Sequence, residues 1–559
     1  GSSCGGEAAA AGAPAPGASP ELAGSPEGDV TVRLAVRNMN NQSKLYRQGF
    51  RPWCRTLPHA PRWRRLPDAP SSDFSFKWDG EPVEGGTGFT IRWQHRLPRD
   101  GSTTFFAFCA PFGYGDCQEL LGALERSLAE PPDAASSSSC AAAPGGSLGE
   151  EPMRRLSEAV QEDWIPRPGT DIYFHRQEIG RSLDGRAIDL LTITAASHGS
   201  GEQGEPLPAE TAPPEVQLRG PPPWCFPGRP LVFFSARVHP GETPGQFAFI
   251  GGLRFLLSDD PRAVTLRNKY VFKLVPMLNP DGVARGHYRT NSLGLNLNRY
   301  YDAPTPEEHE GIWTAKQMLL HWAGQARILL YVDFHAHASK SGCFLLANRF
   351  KGPGQAWNMG YVRLCQLNSP HFDLSNCDFA DDDAAEEKGK DGLGKTGSGR
   401  VAVHRECQLC HSYTLECNYN CGKSLNSTFS PASCLPAWAE CPGAGRLAQA
   451  FPLAYDHGCW AQIGEALCVS LLDLYGHNCW SRLPSSRYGS AKKLLNSTNC
   501  LRGRRAGSGI MPLVASSCLT AEGIAERECP CQQPSCAWGR PAAGSGAPRA
   551  GRAPPPKAA

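Results

Sequence analysis

The stretch that most constrains the fold runs from Leu231 to Glu242 and reads LVFFSARVHPGE. Its apolar half, Leu231 to Ser235, is typical of a buried strand, and Pro244 shortly afterwards suits the first turn of a helix. His239 and Glu242 therefore fall in a strand-to-helix loop, where α/β proteins commonly place functional groups. One imidazole and one carboxylate in this loop could bind zinc, or they could be two solvated loop residues.

Five later motifs place polar groups at or just beyond further predicted strands. These strands run from Val271 to Leu278, from Ile328 to Val332 and from His411 to Glu416, and the last carries alternate polar residues on one face. In chain order the motifs are NPDG at 279–282, YR at 288–289, LNR at 297–299, DFHAH at 333–337 and SYTLE at 412–416. Together they favour the interpretation of His239 and Glu242 as metal ligands.

The ordered set HPGE, NPDG, YR, LNR, DFHAH and SYTLE resembles the zinc metallocarboxypeptidases, and in detail the cytosolic carboxypeptidases. The longer phrases RGHYRTNSLGLNLNR, VDFHAHASKSGCF and HSYTLECNYN carry the closer similarity, which extends over residues 30 to 480. The resemblance implies a hydrolase that removes glutamate from polyglutamylated proteins, including the branch-point γ-linked glutamate. The implied partners are polyglutamylated tubulin and other glutamate-rich protein tails.

The same resemblance implies one zinc ion per chain, held by His239, Glu242 and His335. Strand alternation puts His335 and His337 on one face, so the residues alone leave open which histidine is the ligand. The family motif places the ligand at His335, and His337 then lies beside the substrate or behind the ligands. Asn296 matches the family position that orients the first zinc histidine.

The resemblance also assigns the remaining catalytic functions. Glu416 is the general base for the attacking water and then the acid for the leaving amine. Arg289 stabilises the oxyanion of the tetrahedral intermediate. Asn298 and Arg299 hold the C-terminal carboxylate of the substrate, where a guanidinium matches two oxygens. Arg400, in the stretch GSGRV, is placed at the base of the pocket to meet the second carboxylate of a departing glutamate.

One departure from the family pattern concerns the stretch VAVHREC at 401–407, where related carboxypeptidases carry a tyrosine. No tyrosine is present here. Either His404 replaces it as a hydrogen-bond donor or that function is lost, so turnover could be reduced.

Four further cations could add positive field that steers an acidic tail to the cleft, or could be ordinary solvated charges. They are Arg237, Arg285, Lys340 and Lys395.

Three other motifs favour plainer interpretations. The stretch GKDGLGKT at 389–396 fits a phosphate-binding loop, but acidic residues precede it and the strand-like 400–404 follows it, so a mobile loop is favoured. A four-thiolate zinc site could be formed by Cys407, Cys410, Cys417 and Cys421, but it would distort the strand that carries Glu416, so it is not favoured. The same applies to the tail cysteines Cys529, Cys531 and Cys536. The cluster RWRR at 62–65 is typical of an exposed loop rather than of a nucleic-acid site.

Patterning along the chain predicts an α/β fold, with a mixed, mostly parallel sheet flanked by helices (metallocarboxypeptidase-like) and preceded by a small antiparallel β-sandwich domain. Helices are predicted from Pro244, over 307–323 and over 455–475, and Asp184-Gly185 predicts a hairpin between two strands. The predicted segments are 1–28 disordered, 29–130 β-sandwich, 131–160 linker, 161–480 zinc carboxypeptidase catalytic domain and 481–559 disordered basic tail.

Composition narrows the class of protein. No apolar run approaches the roughly 18 to 20 residues of a membrane span, so no membrane association is expected. The first residues lack the pattern of a secretory signal, and the 23 cysteines are then expected to be reduced thiols. The predicted location is the cytosol and microtubule cytoskeleton, with the nucleus as a further compartment. The net charge of +2 indicates no particular partner.

Three hypotheses about function follow. The first is an active zinc deglutamylase that acts on acidic tubulin tails. The second is an aspartoacylase-like zinc amidohydrolase, which shares the zinc scheme but acts on small N-acyl amino acids. The third is a catalytically weak relative that keeps the fold and binds microtubules.

Overall fold

The computed structural model describes residues 29–39, 42–66, 74–78, 88–129, 171–196, 208–325, 327–350, 353–380, 394–422 and 454–499. The strands are β1 (Val30–Met39), β2 (Trp53–Leu57), β3 (Ala60–Arg65), β4 (Phe74–Trp78), β5 (Phe89–Leu97), β6 (Thr103–Ala107), β7 (Tyr173–Arg181), β8 (Ala187–Thr194), β9 (Leu231–Ala236), β10 (Val271–Val275), β11 (Ile328–His337), β12 (Cys343–Asn348), β13 (Asp378–Ala380) and β14 (Ser412–Asn418). The α-helices are α1 (Ser43–Arg47), α2 (Tyr114–Ala129), α3 (Thr243–Leu256), α4 (Pro261–Lys269), α5 (Pro280–Ala284), α6 (Glu310–Gly324), α7 (Pro353–Asn368), α8 (Gly399–Cys407), α9 (His457–Leu474) and α10 (Ala491–Asn499), and 3₁₀ turns cover Leu297–Arg299 and Leu374–Asn376.

An eight-stranded mixed sheet forms the centre of the molecule, in the order β13-β12-β14-β11-β9-β10-β8-β7. The middle strands β14, β11, β9 and β10 are parallel, whereas β12, β8 and β7 add antiparallel pairs. Every residue of β9 is buried, as expected for a central strand covered on both faces. The predicted mixed, mostly parallel α/β sheet is confirmed.

Helices cover both faces of this sheet. One hydrophobic core joins Val232 and Phe234 of β9 to α3 and α9, and a second joins Phe233 to α6 and α8. The glycine pair at 251–252 lies within α3, which continues through it. A side chain at Gly251 would meet the Ala461 backbone of α9 at 2.3 Å. Glycine here permits the close approach of the two helices.

Two three-stranded antiparallel sheets, β1-β5-β4 and β3-β2-β6, precede the central sheet and confirm the predicted N-terminal β architecture. Their shared core includes Ile91 and Trp93 of β5 with Phe106 of β6. The prediction of an exposed loop at 62–65 is wrong, because these residues form most of β3 and pair with β2.

Helix α2 lay inside the segment predicted to be β-sandwich, yet it belongs with the central sheet. Leu120, Leu121 and Leu124 are buried in the same core as β9 and α3. The three leucines recur at a spacing that places them on one helix face. The N-terminal strands therefore end at Ala107, and the following helix packs on the unit built around the central sheet.

Two further predictions are corrected. Residues 400–404 form part of helix α8 and not a strand, because Val401, Ala402 and Val403 are all buried and the helix begins against the side chain of Asn298. Residues 481–499 are not irregular tail throughout, since α10 packs on α7 with Leu494 buried. The predictions for 1–28, 131–160, 500–559 and 389–393 lie outside the described residues.

Candidate metal centre and catalytic site

Three buried side chains converge where two neighbouring parallel strands end. His239 and Glu242 follow β9, and His335 lies near the end of β11, the strand beside it. Their exposed fractions are 4%, 7% and 2%, and one ligand atom from each lies within 4.8 Å of the others. Gly245 allows this approach, because a side chain there would meet the His335 backbone at 2.8 Å. Within the described ranges this is the one group of metal-binding side chains so assembled.

The hydrogen bonds of the two imidazoles determine which nitrogens face the centre. Nδ1 of His335 lies 3.1 Å from Nδ1 of His239 and 2.9 Å from Oε2 of Glu242, and Nδ1 of His239 lies 2.9 Å from Oε1. The opposite nitrogens bind outward: Nε2 of His239 donates to Oδ1 of Asn296 at 3.0 Å, and Nε2 of His335 donates to Asp333 at 2.6 Å. Such outer acceptors fix the tautomer of metal-binding histidines.

This donor set fits zinc. Two imidazole nitrogens and one carboxylate are a ligand set typical of catalytic zinc sites, which leave one position open for water. Burial works against charge on His335, but Asp333 and Glu242 outweigh it and raise its pKa well above the ordinary value. Burial likewise opposes ionisation of Glu242, yet His239 and His335 hold its pKa well below its usual range. A cluster with this preference for positive charge is suited to a cation.

His337 takes no part in this cluster. Its Nδ1 accepts from the backbone N–H groups of Ser339 at 3.1 Å and Lys340 at 3.0 Å, so its proton lies on Nε2. Burial, helped by the charge of Lys340, lowers its pKa to about 4, so the ring is neutral at pH 7. Of the two histidines that alternation left open, His335 is the one that the structure brings together with His239 and Glu242. Whether His337 contacts substrate stays a prediction.

Glu416 lies on β14, directly across from His335 of β11 in the parallel register. Its Oε2 is buried and has no hydrogen-bond partner among the residues that the structure describes. The pKa of Glu416 is raised to about 8, chiefly by burial; the charge of Glu242 adds to this rise, whereas His335 and Arg289 oppose it. A cation among the three ligands would favour the carboxylate form. A carboxyl group with a raised pKa and one buried oxygen free of hydrogen bonds is the kind of group that carries out proton transfer.

Arg289 reaches the same centre from the NPDG side of the cleft. Its Nη1 lies 3.8 Å from Oε1 of Glu242, and its side chain is 42% exposed. The guanidinium is therefore close to the ligands and still open to the cleft. This position is compatible with the predicted stabilisation of an oxyanion.

The three residues predicted to bind substrate carboxylates each have a hydrogen-bond partner within the protein, and Asn298 also lies close to a metal ligand. Asn298 accepts from the backbone N–H of Gly399 at 2.9 Å, and its Nδ2 lies 3.5 Å from Nε2 of His335. Arg299 donates to the Asn298 carbonyl at 2.7 Å. Arg400, the second residue of α8, is buried and donates to the side-chain oxygen of Asn348. Their contacts with substrate stay predictions.

His404 makes contacts at the C-terminal end of α8. It sits in the last turn of α8, where its Nδ1 donates to the Leu409 carbonyl at 2.9 Å and its ring packs on Phe350 with centroids 4.7 Å apart. This position gives no support to His404 as the replacement for the missing tyrosine.

The prediction that Arg237 is one of the cations that steer an acidic tail to the site is corrected. Arg237 is 3% exposed, and its guanidinium donates to the carbonyls of Pro240 and Phe112, so it braces the HPGE loop instead of facing solvent. Arg285 pairs with Asp184 at 2.6 Å, and Lys340 lies over the ring of Phe344. Lys395 is described only by its backbone bond to Ser398.

The cysteines weighed as a zinc site do not assemble into one within the described part of the chain. Cys417 pairs across the sheet with Cys343, whereas the thiol of Cys410 faces the Gly354 carbonyl. The three tail cysteines lie outside the described residues.

Sequence reasoning missed Asp333, whose carboxylate accepts a hydrogen bond from His335 and another from Ser235 at 2.8 Å. Its signal was available, since alternation puts Asp333 on the face of His335.

Comparisons with known proteins agree with this geometry. The zinc carboxypeptidase family model matches residues 171–339, which include all three ligands. Human (Homo sapiens) cytosolic carboxypeptidase-like protein 5 is 36% identical over 551 residues, covering 83% of this chain and 57% of that protein. Cytosolic carboxypeptidase 2 of Xenopus tropicalis is 27% identical over 327 residues, covering 58% of this chain and 27% of that protein. The chain spans just over half the length of the human relative.

Among solved structures, a metallo-carboxypeptidase from Burkholderia cenocepacia is similar with a TM-score of 0.49 and 18% identity, covering 79% of this chain and 85% of that one. Within the described ranges, no helix combines the length and apolar character needed to span a membrane.

Proposed function

This chain belongs to the zinc carboxypeptidase family, and from that premise we propose that it removes C-terminal glutamate from polyglutamylated proteins. The substrates proposed are chiefly tubulin tails, including the branch-point glutamate whose amine is joined to the γ-carboxyl of a chain glutamate, and other glutamate-rich tails. The cytosol is the proposed location. The observation that carries the proposal is the position of Glu416, opposite His335 in the buried cluster of His239, Glu242 and His335, with the Glu416 Oε2 atom buried and without a hydrogen-bond partner among the described residues.

The residues divide the reaction between them. Zinc, when bound by His239, Glu242 and His335, supplies Lewis acidity and makes water more acidic. Glu416 takes a proton from the attacking water and passes it to the leaving amine, so the peptide bond breaks without a free strong base. Arg289, half-exposed beside Glu242, offsets the negative charge that develops on the scissile carbonyl oxygen.

Selectivity for glutamate follows from charge. A departing glutamate carries two carboxylates, and Arg299 is proposed to bind the one shared by every C-terminal residue. Arg400 is proposed to bind the other. Its buried guanidinium has a neutral partner, the Asn348 amide, so its positive charge is not cancelled by that contact.

The test is incubation of the zinc-loaded chain with glutamylated peptides that end in a branch-point γ-linked or an α-linked glutamate. Mass spectrometry of the products should show loss of one glutamate at a time. Glu416→Gln serves as the matched control, because it keeps the shape of the side chain and loses the proton carrier.

Two other outcomes would replace the proposal. Release of free acid from N-acetyl-aspartate with no loss from either peptide would indicate the amidohydrolase. Zinc binding and microtubule co-sedimentation without turnover would indicate the non-catalytic relative.

A further inference from the structure

Arg65, the last residue of β3, joins the N-terminal sheets to the main chain that follows the catalytic strand. Its Nη1 donates to the Asn420 carbonyl at 3.2 Å and also to the Asn420 side-chain oxygen. Its Nη2 donates to the carbonyls of Tyr419 at 2.8 Å and Tyr455 at 2.7 Å. One guanidinium thus binds three backbone carbonyls on two separate segments of the catalytic unit.

The exit segment, defined as residues 418–421, links these carbonyls to the site. It begins two residues after Glu416. Asn418 donates to the carbonyl of Lys340 at 2.7 Å, in the loop that follows β11. The Tyr419 hydroxyl donates to the carbonyl of Gly241 at 3.2 Å, inside the HPGE loop. The exit segment therefore contacts both loops that flank the metal ligands.

The surroundings of Arg65 make this contact rigid. The guanidinium carbon lies 5.8 Å from the ring centre of Phe50 and 5.5 Å from that of Trp53, and the side chain is only partly exposed. Asn420 is held on its other side by a bond from its Nδ2 to the Gln48 carbonyl at 2.6 Å. Hydrogen bonds from a charged donor are stronger than neutral ones, and a planar fork fixes direction as well as distance.

We propose that Arg65 is a positioning residue of the catalytic site, which fixes the exit segment and through it the placement of the Glu416 carboxylate against the metal ligands. This inference rests on the proposed function, since it assigns Arg65 to the same reaction. The N-terminal sheets then contribute to the rate of the reaction as well as to the stability of the fold.

The test compares Arg65→Lys and Arg65→Ala with Arg64→Ala, all in the full zinc-loaded chain. Arg64 is the neighbouring residue of β3 and is exposed, so Arg64→Ala removes the same charge without the carbonyl contacts. A lysine keeps the charge but cannot bind three carbonyls as a planar fork does. We expect kcat of Arg65→Lys to fall about tenfold to a hundredfold, because small misplacements far from the chemistry have effects of that size. KM and zinc content should stay near wild type.

Two further readouts separate positioning from stability. Millimolar guanidinium chloride should restore part of the kcat of Arg65→Ala, whereas sodium chloride at the same concentration should not. Amide hydrogen exchange should accelerate at the exit segment and the HPGE loop in both Arg65 variants and not in Arg64→Ala, and this readout needs no turnover.

The outcomes discriminate between the two proposals. Wild-type kcat in Arg65→Lys would overturn the positioning assignment, as would a loss of kcat that accompanies loss of zinc and global unfolding without guanidinium rescue. An inactive wild-type chain would instead contradict the proposed function, and unchanged exchange at the exit segment would then overturn the assignment of Arg65 independently.

Discussion

Glu416 and His335 stand opposite each other on adjacent parallel strands, and this register brings the proposed proton carrier to the metal ligands. The two residues are 81 positions apart in sequence but share one rung of the sheet. Since side chains on one rung of a sheet lie on the same face, no loop movement is needed to bring them together. The placement of Glu416 against His335 is therefore a property of the central sheet.

Glu416→Gln should abolish most turnover while leaving zinc in place. The variant keeps the shape of the side chain and loses only its capacity to carry a proton. We expect kcat to fall by about a hundredfold or more, with KM changed little. Steady-state kinetics on a glutamate-ended peptide, with zinc content measured in the same preparations, checks this.

Glu406→Gln is the matched control for that change. Glu406 lies in α8, where its carboxylate pairs with Lys316 at 2.9 Å, so the same substitution there should leave kcat near wild type. A Glu416→Gln protein that keeps more than about a tenth of the wild-type kcat would contradict the general-base assignment.

His335→Ala should lose zinc, and His337→Ala should keep it. His335 points its Nδ1 at Glu242 and His239, whereas His337 uses its Nδ1 to accept two backbone N–H groups of its own loop. Metal analysis of the dialysed proteins is the measurement. Full zinc retention in His335→Ala, or complete loss in His337→Ala, would reverse the ligand assignment.

Asp333→Asn should weaken zinc binding without removing a ligand. The carboxylate accepts from Nε2 of His335 at 2.6 Å, and neutralising it makes the imidazole a poorer donor to the metal. Losses of such outer partners typically cost about tenfold to a hundredfold in metal affinity. Competition with a zinc chelator measures the effect.

Ser235→Ala provides the comparison for Asp333→Asn. It removes only the second partner of the Asp333 carboxylate, at 2.8 Å, and leaves the bond to His335 in place. A loss of affinity in Ser235→Ala as large as in Asp333→Asn would show that packing, and not the charge on Asp333, controls the site.

The sequence pattern singled out His239 and Glu242 as candidate ligands because they follow a buried strand, and the family resemblance then supplied His335 as the third. The same pattern could not separate His335 from His337, since a period of two gives both the same face, and only the loop amides of Ser339 and Lys340 distinguish them. The prediction that Arg65 lies in an exposed loop was also wrong. Its partner Asn420 lies 355 positions away and cannot be inferred from the local cluster RWRR.

Helix α8 shows the limit of local propensity. The β-branched residues Val401 and Val403, on either side of Ala402, suggest a strand, yet the burial of all three and the bond from Gly399 to Asn298 favour a helix there. The start of the same helix contacts Asn298 through the backbone N–H of Gly399, a proximity that no local pattern in the sequence indicates.

Arg400→Ala should reduce selectivity for glutamate more than it reduces general activity. A charge-assisted hydrogen bond to the side-chain carboxylate contributes roughly 1.5 to 3 kcal/mol, which is about tenfold to a hundredfold in kcat/KM. Peptides that end in glutamine never use this charge and should be affected little. The measurement is the ratio of kcat/KM for glutamate-ended over glutamine-ended peptides.

Arg299→Ala is the contrasting variant, because the terminal carboxylate is common to both peptides. It should lower kcat/KM for both and leave their ratio near the wild-type value. An unchanged ratio in Arg400→Ala would move the specificity function to another cation, and Lys395 is then the next candidate, since Arg237 is buried under the HPGE loop.

Stability should fall on acidification because His411 is buried as a neutral ring. It is 5% exposed, and burial lowers its pKa from 6.5 to about 4. Between these values the unfolded chain binds a proton that the folded chain does not, so the stabilisation is complete above pH 6.5 and is lost as pH falls through 4. The full loss is roughly 3 kcal/mol for a shift of this size.

His411→Gln, which cannot titrate, should show a smaller drop in the free energy of unfolding between pH 7 and pH 4. Urea titrations of both proteins in the presence of a chelator isolate this effect, because neither protein then has zinc to release, and identical pH dependence in the two proteins would contradict it.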